Sequence, residues 1–518
     1  MNLVNLLLDQ ARARPATPAI IEPRRTTTFG ELDLRSARAA GMLRGAGIVP
    51  GAAVLVFVPM GAELYVLLAA LWRVGAVALV VDPSAGRAHL ANSVARMPPA
   101  GFVGTGMAQV LRLAVPALRR IPRAWSTGFP LFCRSWSGLE DTAPDQRVEA
   151  CADDHPALVT FTSGSTGAPK GAVRSHGLLR AQHLAVSRSL DHRAGAVDLA
   201  TLPIFALSNL ASGQTVLIPD ADVRRPGHIA PGPVLRQIAR EKPRSAVASP
   251  AFFERLADGC DAGEGSITGM EAIFTGGAPV FPRLLERLQK LAPAASVVAV
   301  YGSTEAEPIA HIAYRAMDAA DLAAQRGGKG LLAGEVVPEI SLAILPDSWG
   351  TPIQEMTAAD LAARRMAPEI PGEIVVAGAH VLCGYLGGHG DAETKFRVDE
   401  RIWHRTGDAG YLDGRGRLWL LGRCTARIND DRGVLHPFAV ETAACTVAGI
   451  RRAALVGIDG KRVLAYEGAA DARVGLAAAV AWAGIDRFVP LTIPLDRRHH
   501  AKVDYPALLT AIRNVHGQ

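Results

Sequence analysis

The chain is 518 residues long, too long for one compact core, and at about 100–200 residues per domain it predicts several folding units. Hydrophobic residues make up 49% and charged residues 20%, which excludes global disorder, and the 52 Gly and 34 Pro follow no collagen-like period. A net charge of +6, from 55 basic and 49 acidic residues, is too dilute to predict a nucleic-acid partner.

The N-terminal run MNLVNLLLDQARARPATP has no charged leader and no long apolar stretch. It predicts a short amphipathic helix ended near Pro15, not a signal peptide. Ala53–Val58 predicts a strand, Glu63–Trp72 a helix and Ala76–Val81 a second strand, followed by the turn Asp82-Pro83. Arg73 and Gly75 interrupt the apolar window Leu64–Val81, so it reads as a buried helix and strand rather than a membrane span. Strand–helix–strand at this spacing predicts βαβ units and a mostly parallel sheet, hence an α/β fold.

Residues 105–132 hold Arg112, Arg119, Arg120 and Arg123 with no acid, among Leu, Val, Trp125, Phe129 and Phe132. Two readings stand open: a membrane-surface element, or a solvated helix face over a packed apolar side. Pro116 and Pro122 interrupt any long helix there. The alternation returns through Ala157–Thr162, His176–Ser189 and Ala196–Leu202, and continues to about residue 313. Residues 315–371 are mixed and rich in Ala, Gly and Pro, which predicts loops between subdomains. From Gly372 to Leu421, short β-rich runs (Glu373–Val376, Leu418–Leu421) broken by Gly and Asp predict hairpins. That texture ends near Gly422-Arg423, leaving a last segment of about 95 residues, enough for a small domain.

Six cysteines (133, 151, 260, 383, 424, 445) form no CxxC pair and no His/Cys metal spacing. A disulfide framework is not expected; a reducing, cytoplasmic compartment is. Only seven residues are lysines (170, 242, 290, 329, 395, 461, 502), so a lysine inside a motif stands out.

One such lysine ends the most informative stretch, Thr162-Ser163-Gly164-Ser165-Thr166-Gly167-Ala168-Pro169-Lys170-Gly171, after the strand-like Ala157–Phe161. The glycines admit close backbone approach, and four hydroxyls and Lys170 suit a polyphosphate. It is not a Walker A loop, which needs Ser or Thr directly after Lys; Gly171 follows here.

This loop resembles the signature of the adenylate-forming superfamily of acyl-CoA synthetases, luciferase and peptide-synthetase adenylation domains. Further segments resemble that family's motifs in order: Phe274-Thr-Gly276-Gly277-Ala278, Tyr301-Gly302-Ser303-Thr304-Glu305, Gly372–Val376, Gly384-Tyr-Leu386, His404–Tyr411 and Gly422-Arg423. The resemblance covers roughly residues 10–518. It implies a large N-terminal AMP-binding domain, 1–422, built of two packed α/β sheet subdomains and a small β-rich one. A small mobile α+β C-terminal domain, 423–518, would follow. It also implies roles: Tyr301 on adenine, Thr304 on the α-phosphate, Glu305 on Mg²⁺, Asp408 and Arg423 on the ribose, and Lys502 as the mobile catalytic lysine. ATP and Mg²⁺ are the implied cofactors.

The chemistry implied is carboxylate attack on the α-phosphorus of ATP, which needs cations and donors rather than a general base. The segments that line the acyl tunnel in relatives are apolar here, with Phe205, Leu207, Phe252 and Val280 as pocket candidates, so a lipophilic acid is expected. The second half-reaction departs from the ligase pattern. Thr425 stands for the hinge Asp, Asn429 for a Lys and Arg432 for a Gly, with Gly433 displaced by one. The ending Ile493-Pro-Leu-Asp-Arg-Arg-His-His-Ala-Lys502 resembles the β-lactone synthetases of bacterial olefin biosynthesis. Those adenylate a long-chain 3-hydroxy acid and let its own hydroxyl expel AMP; His499 and His500 are candidates to assist, or are structural. The alternatives are a long-chain fatty acyl-CoA ligase using CoA, an acyl-AMP ligase loading an acyl carrier protein, or a non-catalytic nucleotide- or lipid-binding relative. Pathway enzymes are further candidate partners.

Overall fold

The computed structural model of the protein describes residues 1–82, 86–163, 169–469, 471–496 and 502–514. It is α/β, and it divides into two compact units: Met1–Asp220 with Ala379–Ala392, and Ala221–Gly378 with Glu393–Gln518.

In the first unit the expected βαβ element is present as the strand Ala53–Phe57, the helix Ala62–Val74 and the strand Val77–Val81. The helix is buried on all faces, which is why its sequence is a continuous apolar run. Glu63 in its first turn pairs with Arg35, and its one basic residue, Arg73, is 1% exposed; Arg73 pairs with Asp33 and its Nε donates to Ser36 Oγ at 3.0 Å. Gly75 ends the helix at φ +74°, a left-handed position that a β-carbon would strain. The strands Arg134–Ser135, Ala124–Ser126, Gly101–Gly104, Ala53–Phe57, Val77–Val81 and Pro156–Ser163 lie side by side in parallel, and Pro169–Ser175 closes that sheet antiparallel. The strands Val197–Ala200, Thr215–Leu217 and Pro18–Glu22 are also parallel, with Arg25–Thr28 antiparallel at the edge. The helix His176–Ser189 has the bounds that its sequence predicts, capped by Ser175, which accepts from Leu178 N.

In the second unit, Ser245–Ala248, Ala272–Gly276 and Ser296–Ser303 run parallel. The sheet then turns antiparallel through Ala306–Ala313, Leu331–Val336, Leu418–Arg423, Arg401–Leu412, Gly372–Gly378 and Ile340–Leu345. The expectation of loops over 315–371 is corrected here. That stretch holds the helices Ala319–Arg326 and Ala358–Arg364 and the strands Leu331–Val336 and Ile340–Leu345. Reciprocal capping boxes, Asp318 with Asp321 and Thr357 with Asp360, fix both helices despite their small-residue composition.

The last segment of this unit has the hairpin Ile428–Asp430 with Gly433–Leu435, and a sheet of Ile450–Ile458, Lys461–Gly468 and Arg487–Pro490. Helices Pro437–Cys445, Ala472–Ala479 and Tyr505–Asn514 pack around it, burying Val440, Leu455, Leu464 and Leu476 together and Val456, Val463, Leu508 and Ile512 together.

Candidate functional site

In the second unit, one cavity of about 340 Å³ gathers residues from most of the expected motifs. Gly277, Ala278 and Val280 follow the strand Ala272–Gly276; Tyr301, Gly302 and Ser303 end the strand Ser296–Ser303. Asp408 comes from Arg401–Leu412, Arg423 ends Leu418–Arg423, and Lys502 precedes the helix Tyr505–Asn514. Asp408 and Arg423 are cross-strand neighbours, which sets them side by side.

Asp408 is the centre of this group. Tyr301 Oη donates to its Oδ2 at 2.8 Å, and Arg423 Nη1 donates to its Oδ1 at 3.2 Å. Burial and the Asp408 charge push the Tyr301 phenol well above its ordinary range, so it stays protonated and donates. Asp408 raises the Arg423 pKa in turn. Burial pushes the Lys502 ammonium down, and the nearby Arg423 charge acts the same way, against Asp408, Asp496 and Glu305. Lys502 still presents exposed surface to solvent.

The Asp408 strand is anchored from below. Arg405 makes a bidentate pair with Glu373, Nε to Oε1 and Nη2 to Oε2, both at 2.7 Å, with neither side chain exposed. Thr406 Oγ1 donates to Ile374 O at 2.9 Å and accepts from Asp408 N at 3.1 Å. His404 Nδ1 lies 3.1 Å from Lys395 Nζ; burial, then the Lys395 charge, holds the imidazole neutral with a pKa of about 3. Arg405, Glu373, Lys395 and Thr406 have no role in the sequence reading. The signal for Arg405 was its place in the His404–Tyr411 motif; nothing marked Glu373 as its partner.

Glu305 lies in the turn after Ser303, where its amide nitrogen donates to Ser303 Oγ at 3.2 Å. Thr304 shares that turn. Among the described residues no group of three or more His, Cys, Asp or Glu side chains is placed to hold a metal ion. A single carboxylate suits Mg²⁺, which is commonly held by one or two carboxylates plus the phosphates of its nucleotide.

The cavity's other walls are largely apolar: Ala251, Phe281, Val300, Leu331, Leu420 and Phe438 among them. Of the acid-pocket candidates in this unit, Val280 lines the cavity, while Phe252 is fully buried in the helix Pro250–Asp261 behind it. Gly276 ends its strand so close to the next that an added β-carbon would sit 2.6 Å from Val300 O. The cavity also holds Glu254, Glu441, Arg451, Arg452 and Tyr505, which sequence reasoning missed. Glu441 Oε1 accepts from Leu455 N at 3.0 Å and from Tyr505 Oη at 3.1 Å; burial lifts its pKa to about 7.

In the first unit, Thr162 pairs with Lys170 and Ser163 with Pro169 across the hairpin of Pro156–Ser163 and Pro169–Ser175. Lys170 Nζ lies 5.9 Å from the centre of the Tyr385 ring, and the Lys170 chain passes close to Gly390. Ala172 bridges to Tyr385, so the Lys170 and Gly384–Leu386 motifs meet. Phe205 and Leu207 are buried in the helix Pro203–Ala211; Leu207 borders a small cleft with Leu3, Leu7 and Leu179. Gly164, Ser165, Thr166, Gly167 and His499 lie outside the described residues.

The sequence pattern of the AMP-binding enzyme family matches residues 7–386. The chain belongs to that family. It is 33% identical over 545 residues to an olefin beta-lactone synthetase of Stenotrophomonas maltophilia, covering 97% of this chain and 96% of that protein. It is 34% identical over 516 residues to an olefin beta-lactone synthetase of Xanthomonas campestris, covering 92% and 89%. In fold it is similar to an anthranilate CoA ligase solved with anthranoyl-AMP, with a TM-score of 0.84 at 14% identity over 100% of this chain and 98% of that one. An amide bond synthetase from Marinactinospora thermotolerans gives 0.81 at 21% identity, over 98% and 99%. As a member of the AMP-binding family, the enzyme is an ATP-dependent, acid-activating ligase.

Proposed function

We propose that this enzyme adenylates a lipophilic 3-hydroxy carboxylic acid and then closes it to a β-lactone. The observation that carries the first step is the cavity cluster of Asp408, Tyr301, Arg423 and Lys502 against apolar walls. Asp408, fixed by two donors, accepts from the ribose hydroxyls; Tyr301 presents its ring to the adenine. Thr304 and the backbone of 276–278 and 301–303 are assigned to the nucleotide, and the hydroxyls of Thr162, Ser163, Ser165 and Thr166 with Lys170 are assigned to ATP phosphates by their resemblance to the family's loop. Glu305 would hold Mg²⁺, which supplies charge neutralisation at the phosphates when bound. Residues 423–518 act as the mobile segment that brings Lys502 to the reaction, and 1–422 as the binding body.

A carboxylate oxygen of the acid attacks the α-phosphorus; the bond to the β-phosphate oxygen breaks and pyrophosphate leaves. Lys502 donates to the oxygens on which charge builds. In the second step the 3-hydroxyl oxygen attacks the acyl carbon, the acyl–phosphate bond breaks, AMP leaves and the hydroxyl proton passes to solvent or to a base, a role for which the sequence offers His499. Two observations favour this closure over an external thiol. One is the similarity to two olefin beta-lactone synthetases over nearly the whole chain. The other is Arg432, where the resembled CoA ligases carry Gly. Its guanidinium ties the 428–435 hairpin to Asp486 at 2.7 Å and closes on Asp430 within the hairpin at 3.1 Å, and Gly433 instead takes the positive φ of +96°.

Product identification by mass spectrometry tests the proposal. The purified protein receives Mg-ATP with a long-chain 3-hydroxy acid or the plain fatty acid, each with and without CoA. The expected product is the hydroxy acid minus water, indifferent to CoA. A thioester that forms only with CoA would make the enzyme an acyl-CoA ligase; absence of ATP–pyrophosphate exchange with any acid would leave only nucleotide or lipid binding.

A further inference from the structure

Between Asp82 and Glu140 the chain carries seven arginines (87, 96, 112, 119, 120, 123, 134) and no acidic residue. Three of them are spent on internal structure. Arg96 Nη1 donates to Pro169 O at 2.6 Å, and Arg123 donates to Ala46 O and to Ala100 O. Arg112, 6% exposed, donates from Nε to Gln109 Oε1 at 2.8 Å and from Nη2 to Phe132 O at 3.0 Å. Arg119, Arg120 and Arg134 are exposed, and among the described residues they make no ion pair.

The same stretch exposes large apolar side chains. Phe132 is 83% exposed, Met107 78%, Phe129 75% and Val110 50%. Met107, Val110 and Ala114 share one face of the helix Gly106–Ala114, while Gln109 and Arg112 are buried on the other. The two phenylalanines stand on an anchored loop. Ser126 Oγ donates to Phe129 O at 2.9 Å, and the backbone of Phe129 packs against Gly106 at the helix start. Arg112 pins the Phe132 carbonyl, and Phe132 holds φ +50°, a left-handed value that strains a residue with a β-carbon. The backbone is therefore fixed on the protein side while both rings are turned to solvent.

We infer that this segment, through exposed Met107, Val110, Phe129 and Phe132 together with its exposed Arg119, Arg120 and Arg134, docks on the surface of an anionic phospholipid bilayer. Apolar side chains enter the acyl boundary, and the exposed guanidiniums of the same segment pair with lipid phosphates. No helix among the described residues is long and apolar enough to cross a membrane, so the contact is peripheral. The absence of any acid between Asp82 and Glu140 argues for an anionic partner. A second copy of the chain docked through the same patch would set arginine against arginine. The inference goes beyond the proposed reaction and stands without it. It would let a lipophilic acid reach the enzyme from the bilayer in which such an acid dissolves.

Co-sedimentation of the full-length protein with vesicles, without ATP or acid, tests it independently of activity. Expected is binding to phosphatidylcholine vesicles containing about one third phosphatidylglycerol and none to pure phosphatidylcholine, with binding weakened by salt. The double variant Phe129→Ser/Phe132→Ser should bind at least about tenfold more weakly. Arg119→Gln/Arg120→Gln should lose about twenty- to thirtyfold. Unchanged ATP–pyrophosphate exchange with a short, water-soluble acid would show that both variants are folded. No binding to anionic vesicles at low salt, equal binding to neutral ones, or variants that bind like the parent would each overturn the proposal. So would a dimer in sedimentation velocity that the phenylalanine variant dissolves, without vesicle binding by the parent.

Discussion

Burial around the Lys502 ammonium, reinforced by the Arg423 charge, lowers its pKa, so it gives up its proton at a lower pH than an ordinary lysine. The proposed chemistry uses the protonated form, which donates to the oxygens of the pentavalent phosphorus. Lys502→Ala should therefore lower the rate of ATP–pyrophosphate exchange by about 10²–10³-fold, the usual cost of one such donor, with little change in ATP affinity. The parent should also lose kcat/KM at alkaline pH below the ordinary lysine range. Lys502→Arg, which keeps its proton, should move that limb upward even if its rate is lower. A near-normal exchange rate in Lys502→Ala would remove the residue from the chemistry. Asp408 makes a different prediction, because it binds rather than reacts. In Asp408→Asn the amide cannot accept fully from both Tyr301 and Arg423, and its charge is gone. ATP affinity by titration calorimetry should fall about 10- to 100-fold, the range for hydrogen bonds to a charged group. These residues were legible because each sits in a motif of recognisable order. Glu441, Arg451 and Tyr505 were not. They reach the same cavity from a helix, a strand and a helix start that share no pattern, and only the packing of the last segment brings them there.

The helix Pro437–Cys445 illustrates what an element adds. It carries Glu441 inward, where Leu455 N and Tyr505 Oη tie it to the strand Ile450–Ile458 and to the helix that begins just after Lys502. Burial raises the Glu441 pKa from 4.5 to about 7. A carboxyl whose folded pKa lies above its unfolded value stabilises the fold fully below the unfolded pKa, and that stability is lost as pH rises through the folded pKa. For this shift the loss is about 2–3 kcal/mol between roughly pH 5 and pH 8. Glu441→Gln keeps an acceptor but does not titrate. The difference in Tm between variant and parent should therefore move in the variant's favour across that window; a constant difference would show that Glu441 is ionised throughout. Elements were legible where periodicity and punctuation agreed, as at His176–Ser189 and at Ala62–Val74 before Gly75. They were illegible over 315–371, where Ala and Gly composition masked two capping boxes and a central strand whose burial depends on distant neighbours.

At the scale of the molecule, the order of motifs made the family and its first half-reaction legible, but not the acceptor of the acyl group. That choice depends on which nucleophile reaches the adenylate. The sequence carries only indirect marks of it: Arg432 in the turn of the 428–435 hairpin, and the unusual approach to Lys502. The proposed acceptor lies within the substrate, which makes turnover depend on the substrate's own structure. A 3-hydroxy acid should sustain steady release of AMP and pyrophosphate in equal amounts. The matching acid without the hydroxyl should be adenylated and then stall. Rapid quench should show a burst of about one pyrophosphate per enzyme followed by slow hydrolysis, while ATP–pyrophosphate exchange persists. CoA should not relieve the stall. If it does, with steady turnover of the plain acid, an external thiol reaches the adenylate despite Arg432, and the internal closure assigned to this enzyme is wrong, whereas its adenylation chemistry stands.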